Sequence, residues 1–355
     1  MSLIFSLTRS ARWFAILACM GVPGNVHAAE PGIPAVKAAT TSSEPGTSAA
    51  PKADDWVVPD IDKLPDDPWG KLVRQGRDLT VATYAYLGPE AADPTHHFAG
   101  SNMSCQNCHL EAGTKKFGLP FVGVFADFPQ YRAREGEVGT LEDRINGCMT
   151  RSMNGRPLAV DSPEMKAFVA YVKFLSTGRP IGGKTPGRGS GKIAELTRPA
   201  DPAAGAKVFA QTCAACHGDD GLGKRAEAVG DRKGYEFPPL WGPDSFNDGA
   251  GMGRLIAAAE FIRSNMPNGT THDQPALSES EAWDVAAYIE SMQRPHKADL
   301  DKDFPVRTEK PVDAGYGPYI DGFDAEAHKL GPFGPTRDKL KALRAGGTAP
   351  SPPLK

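Results

Sequence analysis

The sequence predicts an all-α fold made of two similar modules in tandem. The short motif Cys-x-x-Cys-His occurs twice, and each copy lies between an early and a closing segment whose apolar residues recur at helical spacing. A stretch rich in glycine and proline, residues 179–192, separates the two copies and is typical of a linker. The 355 residues are enough for two modest domains and flanking extensions.

The composition is that of a soluble globular protein, with 40% hydrophobic and 23% charged residues. The formal net charge of −3 gives no reason to expect nucleic acid or an anionic membrane surface as a partner. An anionic substrate would therefore need a local cluster of arginine or lysine.

The N-terminal segment, residues 1–28, has the pattern of a secretory signal peptide. Arg9 and Arg12 precede an apolar run at 13–22, and Val26-His27-Ala28 is a small-x-small cleavage site. The apolar run is too short to cross a bilayer, so we expect a periplasmic protein without a membrane anchor. Residues 29–55 are rich in Ala, Pro, Thr and Ser, which predicts a disordered tether.

The first module is expected at residues 56–178. Its early helix is indicated by residues at helical spacing, namely Leu72, Gly76, Leu79, Thr83 and Leu87. A closing helix is indicated by a second apolar stripe from Met165 to Leu175, and Ser162-Pro163 is a typical N-terminal cap for it.

The second module is expected at residues 193–295 and repeats the same plan. Asp201-Pro202 opens a helix that carries Phe209. Ser278 and Glu281 form a capping box before the closing helix.

A C-terminal extension, residues 296–355, lacks a sustained apolar period. Its aromatic residues are spaced as if they pack onto the rest of the chain, and these are Tyr316, Tyr319, Phe323 and Phe333. We expect a wrapping segment that is ordered to about Phe333, and a loose end over residues 346–355.

Covalent attachment of haem c needs two thiols for the porphyrin vinyl groups and an adjacent imidazole for the iron, and Cys-x-x-Cys-His supplies all three. The motif residues are Cys105, Cys108 and His109 in the first module and Cys213, Cys216 and His217 in the second. A zinc site built from the two cysteine pairs, or thioredoxin-like redox pairs, are the alternatives. The exported chain and the histidine after each pair favour two covalently bound haem c groups per chain.

Modules of this kind resemble class I cytochromes c, in which the opposite axial ligand is usually a methionine in a loop before the closing helix. Met266 occupies that place in the second module, after a helix indicated by Leu255, Ala259 and Ile262. Met252 is the competing candidate, and a methionine can also simply fill the core.

The first module offers two axial candidates, Met153 and Cys148. Once the leader with Cys19 is removed and four thiols bind haem, Cys148 is the single unpaired cysteine, although such a residue can also be a small buried apolar side chain. If Thr140 caps a helix, Arg144, Cys148 and Ser152 lie on one stripe of it. A thiolate would then have a cation and a hydroxyl beside it.

Five arginines lie within 25 residues around this stripe, and guanidinium groups offer forked donors that suit oxyanions. They are Arg132, Arg134, Arg144, Arg151 and Arg156. The cluster predicts a polyanionic substrate.

Several longer segments resemble the dihaem thiosulfate dehydrogenases, which also act as tetrathionate reductases. The resemblance covers about residues 56–333. It is carried by the segments 105–114, 128–135, 140–149, 151–155, 238–247 and 316–319.

The resemblance implies that His109 and Cys148 ligate the first, catalytic haem, and that Arg134, Arg144 and Ser152 line the pocket for thiosulfate and tetrathionate. It also implies that His217 and Met266 ligate the second haem, which passes electrons to an external c-type cytochrome. Some members of the family carry Lys before that Met, as an exchangeable ligand. This chain has Asn265 there, so we do not expect such an exchange.

Two other functions remain open from the sequence. One is a non-catalytic dihaem electron carrier with Met153 and Met266 as the two axial ligands. The other is a haem-bearing subunit of a larger sulfur-oxidising complex, which would need a partner chain.

Overall fold

The structure is a computed structural model that describes residues 56–346 except 229, 231 and 232. The expected signal peptide at 1–28, the tether at 29–55 and the end of the chain from 347 lie outside the described residues. Among the described residues, no helix is both long and apolar enough to cross a membrane.

Helices dominate the described part of the chain. They are α1 (Pro68–Val81), α2 (Thr83–Leu87), α3 (Leu110–Gly113), α4 (Leu141–Arg151), α5 (Pro163–Leu175), α6 (Pro202–Val208), α7 (Ala214–His217), α8 (Leu255–Asn265), α9 (Glu279–Ser291), α10 (Ala325–Leu330) and α11 (Phe333–Gly346). The strands β1 (Gln130–Arg132) and β2 (Glu137–Gly139) form one antiparallel hairpin, and β3 (Lys224–Arg225) and β4 (Tyr235–Phe237) form another.

The helix ends of the first half follow from local capping. Asp67 accepts a hydrogen bond from the Gly70 amide at the start of α1, and Ser162 accepts one from the Met165 amide at the start of α5. The expected closing helix is therefore confirmed. The expected early helix is confirmed with one correction, because the backbone leaves helical geometry at Ala82 and the stripe continues in α2.

The second half repeats this arrangement. Asp201 caps α6, which continues through a single π-helical turn, Phe209–Cys213, into α7. Ser278 and Glu281 form the predicted capping box of α9. The core of this half packs around Trp283, Phe209 and Trp241.

Both halves cross their first and last helices at a glycine. A Cβ on Gly76 of α1 would lie 2.0 Å from the carbonyl oxygen of Ala167 in α5, and one on Gly205 of α6 would lie 1.9 Å from that of Asp284 in α9. Only a residue without a side chain allows the two backbones to approach so closely. The shared crossing supports the prediction of two copies of one all-α module.

The C-terminal extension packs against both halves. Phe333 is buried with its ring 6.1 Å from Trp283, which confirms the expected packing for this residue. Tyr319 instead stacks on His328 of the extension itself, at 3.7 Å. Helix α11 was not predicted. It forms because Phe333, Thr336 and Leu340 share one buried face. Their helical spacing is hard to recognise in the sequence because exposed lysines and arginines lie between them.

Replacing Gly205 by Ala should destabilise the protein by about 2–3 kcal/mol, because the new methyl group would meet the α9 backbone. Gly334→Ala is the matched control, since a Cβ at this helical position meets nothing within 4 Å. Thermal unfolding followed by circular dichroism should show a lower Tm for the first variant only. Equal Tm values would mean that the α6–α9 crossing tolerates a side chain.

Candidate functional site

The first Cys-x-x-Cys-His motif is held against the end of α1. The Thr83 hydroxyl accepts a hydrogen bond from the Cys105 amide at 3.0 Å and lies 3.3 Å from the Cys105 sulfur. The Gln106 side chain donates to the Val81 carbonyl at 3.0 Å. These contacts turn Cys105, Cys108 and His109 toward one cavity.

This cavity, of about 270 Å³, has mostly apolar walls, with two thiols and an imidazole at one side. Its apolar lining residues are Met103, Leu119, Pro120, Phe121, Val124, Phe128, Leu141, Ile145, Met149, Met153, Phe168 and Val172. A macrocycle attached through two thioethers needs this combination of an apolar slot and paired thiols. The residues present therefore fit a haem.

The imidazole of His109 is oriented by a backbone group. Its Nδ1 lies 2.6 Å from the carbonyl oxygen of Leu119, which can only accept a hydrogen bond. The proton must then be on Nδ1, which leaves the Nε2 lone pair free for a metal.

Cys148 lies in the same cavity, on α4. Thr140 and Asp143 form a capping box that starts this helix, as the sequence predicted. Arg144, one turn before Cys148, places its Nη1 3.0 Å from the Cys148 sulfur.

The Cys148 thiol differs from the motif thiols in its pKa. Burial alone would raise this pKa, but the Arg144 charge first, with smaller contributions from His109 and Arg132, outweighs burial and lowers it to about 6. Burial raises the pKa of Cys105 to about 11 and that of Cys108 to about 12. The lowered pKa favours the thiolate form of Cys148.

The second motif has the same local design. The Nδ1 of His217 lies 2.8 Å from the Pro238 carbonyl oxygen, so Nε2 is again free. Burial lowers the pKa of His217, which favours its neutral form. Cys213 and Met266 pack on the same apolar cluster around Phe209 and Trp241, so the residues at this motif also fit a haem.

Met266 directly follows α8, and its amide donates to the Ile262 carbonyl at 2.9 Å. The helix before it is confirmed, with Leu255, Ala259 and Ile262 buried. Met252, the competing candidate, lies in a separate 3-10 turn, Gly251–Gly253.

Comparison with known proteins gives a family to each half. Residues 96–181 match the family described as SoxA/TsdA, cytochrome c domain, and residues 202–293 match the family described as Cytochrome c. The chain is 41% identical over 278 residues to the thiosulfate dehydrogenase of Allochromatium vinosum, which covers 76% of this chain and 95% of that protein. It is 40% identical over 264 residues to the thiosulfate dehydrogenase of Stutzerimonas stutzeri, with 73% and 81% covered.

The chain belongs to the thiosulfate dehydrogenase family. A solved structure, thiosulfate dehydrogenase (TsdBA) from Marichromatium purpuratum in its as-isolated form, is similar with a TM-score of 0.61 and 35% identity. The match covers 68% of this chain and 50% of that chain, so this chain spans about half the length of TsdBA. The fold is accordingly two cytochrome c domains in tandem, and domains of this kind bind haem c.

The five arginines that lie close together in the sequence do not share one site in the structure. Arg144 lines the cavity together with Ser152. The other four are engaged elsewhere: Arg132 with Glu135, Arg134 with the Gly249 carbonyl at 2.6 Å, Arg151 with Asp303 at 2.7 Å, and Arg156 with the carbonyls of Thr95 and His97.

Some cavity residues were missed by sequence reasoning. Gln130, at the start of β1, lines the cavity and lies in the segment 128–135 that carries the family resemblance. Arg188 also lines it and pairs with Asp127 on its wall. Arg188 lies in the glycine-rich linker, where no local pattern indicates contact with the first domain.

Asp303 of the C-terminal extension binds the arginines behind the cavity. Its carboxylate accepts from Arg151 at 2.7 Å and from the Tyr316 hydroxyl at 2.6 Å, and it lies 3.8 Å from Arg134. All three charged side chains are less than one-fifth exposed. Each buried charge in this group is therefore stabilised by the opposite charge beside it.

Asp303→Asn should lower the free energy of unfolding by about 3 kcal/mol, because it leaves two buried guanidinium groups without a counter-charge. Asp299→Asn is the control, since its pair with Lys302 is largely exposed and should leave the Tm unchanged. Denaturant unfolding of both variants provides the measurement. An unchanged midpoint for Asp303→Asn would show that the network adds nothing to stability.

Proposed function

We propose that the protein is a periplasmic dihaem cytochrome c enzyme that couples two thiosulfates to tetrathionate with release of two electrons, and that also catalyses the reverse reduction. The observation that carries the proposal is the 3.0 Å contact between Arg144 Nη1 and the Cys148 sulfur, within the cavity formed by the first motif. Family membership and the secretory pattern of residues 1–28 support it.

We assign His109 and Cys148 as the ligands of the first haem and His217 and Met266 as those of the second. Cys148 and His109 line the same cavity, which supports their assignment to one haem. Met153 is buried and also lines the cavity, and its ligation would instead favour the electron carrier. The guanidinium beside Cys148 supports Cys148 rather than Met153 as the ligand. A cation stabilises a thiolate, whereas a thioether is neutral and needs no cation.

Substrate binding requires positive charge, because two thiosulfate dianions repel each other. Arg144 and Ser152 both line the cavity and supply a forked cation and a hydroxyl to sulfur oxyanions. Arg134, which the resemblance implied for the pocket, instead donates to the Gly249 carbonyl at 2.6 Å and lies 3.8 Å from Asp303. Binding both dianions beside Cys148 replaces an unfavourable collision in solution by a reaction between groups that are already held together.

The covalent steps use Cys148 as the nucleophile. Its thiolate and the outer sulfur of one thiosulfate form a sulfur–sulfur bond, with loss of two electrons. The outer sulfur of a second thiosulfate then attacks the thiosulfate-derived sulfur of this adduct, which forms tetrathionate and returns the Cys148 thiolate. No proton is consumed in either step.

When bound, the two haems take up these electrons and deliver them to an external acceptor such as a c-type cytochrome. As ligands, the Cys148 thiolate would lower the potential of the first haem because a thiolate donates charge, and the Met266 thioether would raise that of the second. The second domain is therefore the exit for electrons in the thiosulfate-oxidising direction.

Cys148→Gly should reduce turnover by about three orders of magnitude or more, because both covalent steps lose their nucleophile. Purified protein should be assayed with thiosulfate and ferricyanide, and with tetrathionate and a reduced dye. Haem content and circular dichroism should match those of the unsubstituted protein. Near-normal turnover with intact haems would overturn the covalent mechanism.

Low-temperature EPR of the oxidised protein separates the enzyme from the carrier. A thiolate-ligated low-spin haem should give a signal with a compact g-spread, which Cys148→Gly removes and Met153→Leu retains. Absence of that signal from the unsubstituted protein, with a spectrum that changes in Met153→Leu and not in Cys148→Gly, would assign the ligand to Met153 and favour the electron carrier.

Met266→Leu should lower the potential of the second haem and slow electron delivery to the acceptor, because the thioether that favours ferrous iron is lost. Met252→Leu is the matched control, since that side chain lies in a separate turn. Redox titration followed by visible absorption measures both. A shift in the control variant instead would assign the ligand to Met252.

A further inference from the structure

Residues 115–119, here called the bridge loop, join the first motif to the segment that contains Met266. The loop follows the first motif, and its Leu119 carbonyl accepts the hydrogen bond from His109 at 2.6 Å. Two residues earlier, the Phe117 carbonyl accepts from the Asn265 side-chain amide at 2.9 Å. Asn265 directly precedes Met266. One short loop thus contacts the histidine of one domain and the methionine segment of the other.

Two more contacts join the bridge loop to the Met266 segment, residues 265–272. The Lys115 ammonium group donates to the Thr270 carbonyl at 3.1 Å, and Thr270 is buried. The Phe117 ring lies 4.2 Å from the His272 ring. The Met266 segment is therefore held at its beginning and at its end by the first domain.

The bridge loop is itself held in a constrained conformation. Phe117 and Leu119 have φ values of 60° and 53°, a region that costs free energy for residues with a side chain. Their amides donate to the carbonyls of Gly187 and Gly189 in the linker, at 2.6 and 3.0 Å. The linker therefore supports the conformation in which the Phe117 carbonyl faces Asn265.

Asn265 is engaged by this arrangement. It is 1% exposed, and its Nδ2 donates to the carbonyls of both Phe117 and Phe261. Its amide nitrogen thus joins the last turn of α8 to the first domain, immediately before the proposed methionine ligand. These two hydrogen bonds of Asn265 therefore set the direction in which the backbone leaves α8.

We propose that the bridge loop is a positioning element for Met266, holding the methionine segment from the first domain so that the thioether stays on the second haem. The inference rests on the proposed ligation of that haem by His217 and Met266. It makes axial ligation in the second domain depend on residues of the first.

The test uses the holoprotein with the double substitution Lys115→Met and Phe117→Leu, which removes the ammonium donor and the aromatic contact but keeps the Phe117 backbone carbonyl. The weak red absorption band of methionine-ligated ferric haem reports the Met266 bond, and imidazole titration measures how readily that bond opens. We expect imidazole to displace the band at about tenfold lower concentration than in the unsubstituted protein. Lys116→Met is the matched control, because this exposed neighbour lies 5.4 Å from the centre of the Phe117 ring but has no hydrogen bond to the described Met266 segment, and its titration should be unchanged.

Lys115→Met alone provides a second measurement if the double variant does not fold. Lys115 is half-buried and its aliphatic stem is retained by Met, so this variant should fold and show a smaller shift in the same direction. An imidazole titration identical to that of the unsubstituted protein in the folded variants would overturn the inference.

Met266→Leu separates failure of the inference from failure of the ligand assignment. If Met266→Leu retains the red band, the proposed ligation is wrong and the positioning role falls with it. If Met266→Leu removes the band while the bridge-loop variants titrate normally, the ligation stands and the positioning role alone is rejected.

Discussion

The chemistry proposed for this chain depends on one charge-assisted contact, between the Arg144 guanidinium and the Cys148 sulfur. A buried thiol is ordinarily held protonated, as the raised pKa values of Cys105 and Cys108 show in the same cavity. A cation at 3.0 Å reverses that tendency for Cys148. The contact exists because the two residues are one helical turn apart, so the capping box at Thr140 that starts α4 also sets the geometry of the site.

The two domains have separate helical cores, and irregular segments join them. The linker supports the bridge loop, the bridge loop contacts the Met266 segment, and the C-terminal extension brings Asp303 to Arg151. Glycine and proline are abundant in these segments because their backbones must follow two surfaces at once.

Sequence reasoning succeeded where the physics is local. The caps at Thr140, Ser162 and Ser278 were predicted because each is a hydrogen bond between residues three positions apart. The break at Ala82 and the helix α11 were not predicted. For α11, burial of Phe333 and Leu340 in the core of the second domain decided the conformation, and intrinsic preference along the chain did not reveal it.

Much of the candidate site could also be read from the sequence, including both Cys-x-x-Cys-His motifs and the stripe of Arg144, Cys148 and Ser152. These features are visible because covalent attachment and helical periodicity impose fixed spacings. Only the tertiary structure separated Arg144 from four neighbouring arginines, brought Arg188 to the cavity and placed Asn265 against Phe117. Such contacts join residues far apart in the chain, and their formation depends on how two folded domains and their connecting segments pack, which no local spacing encodes.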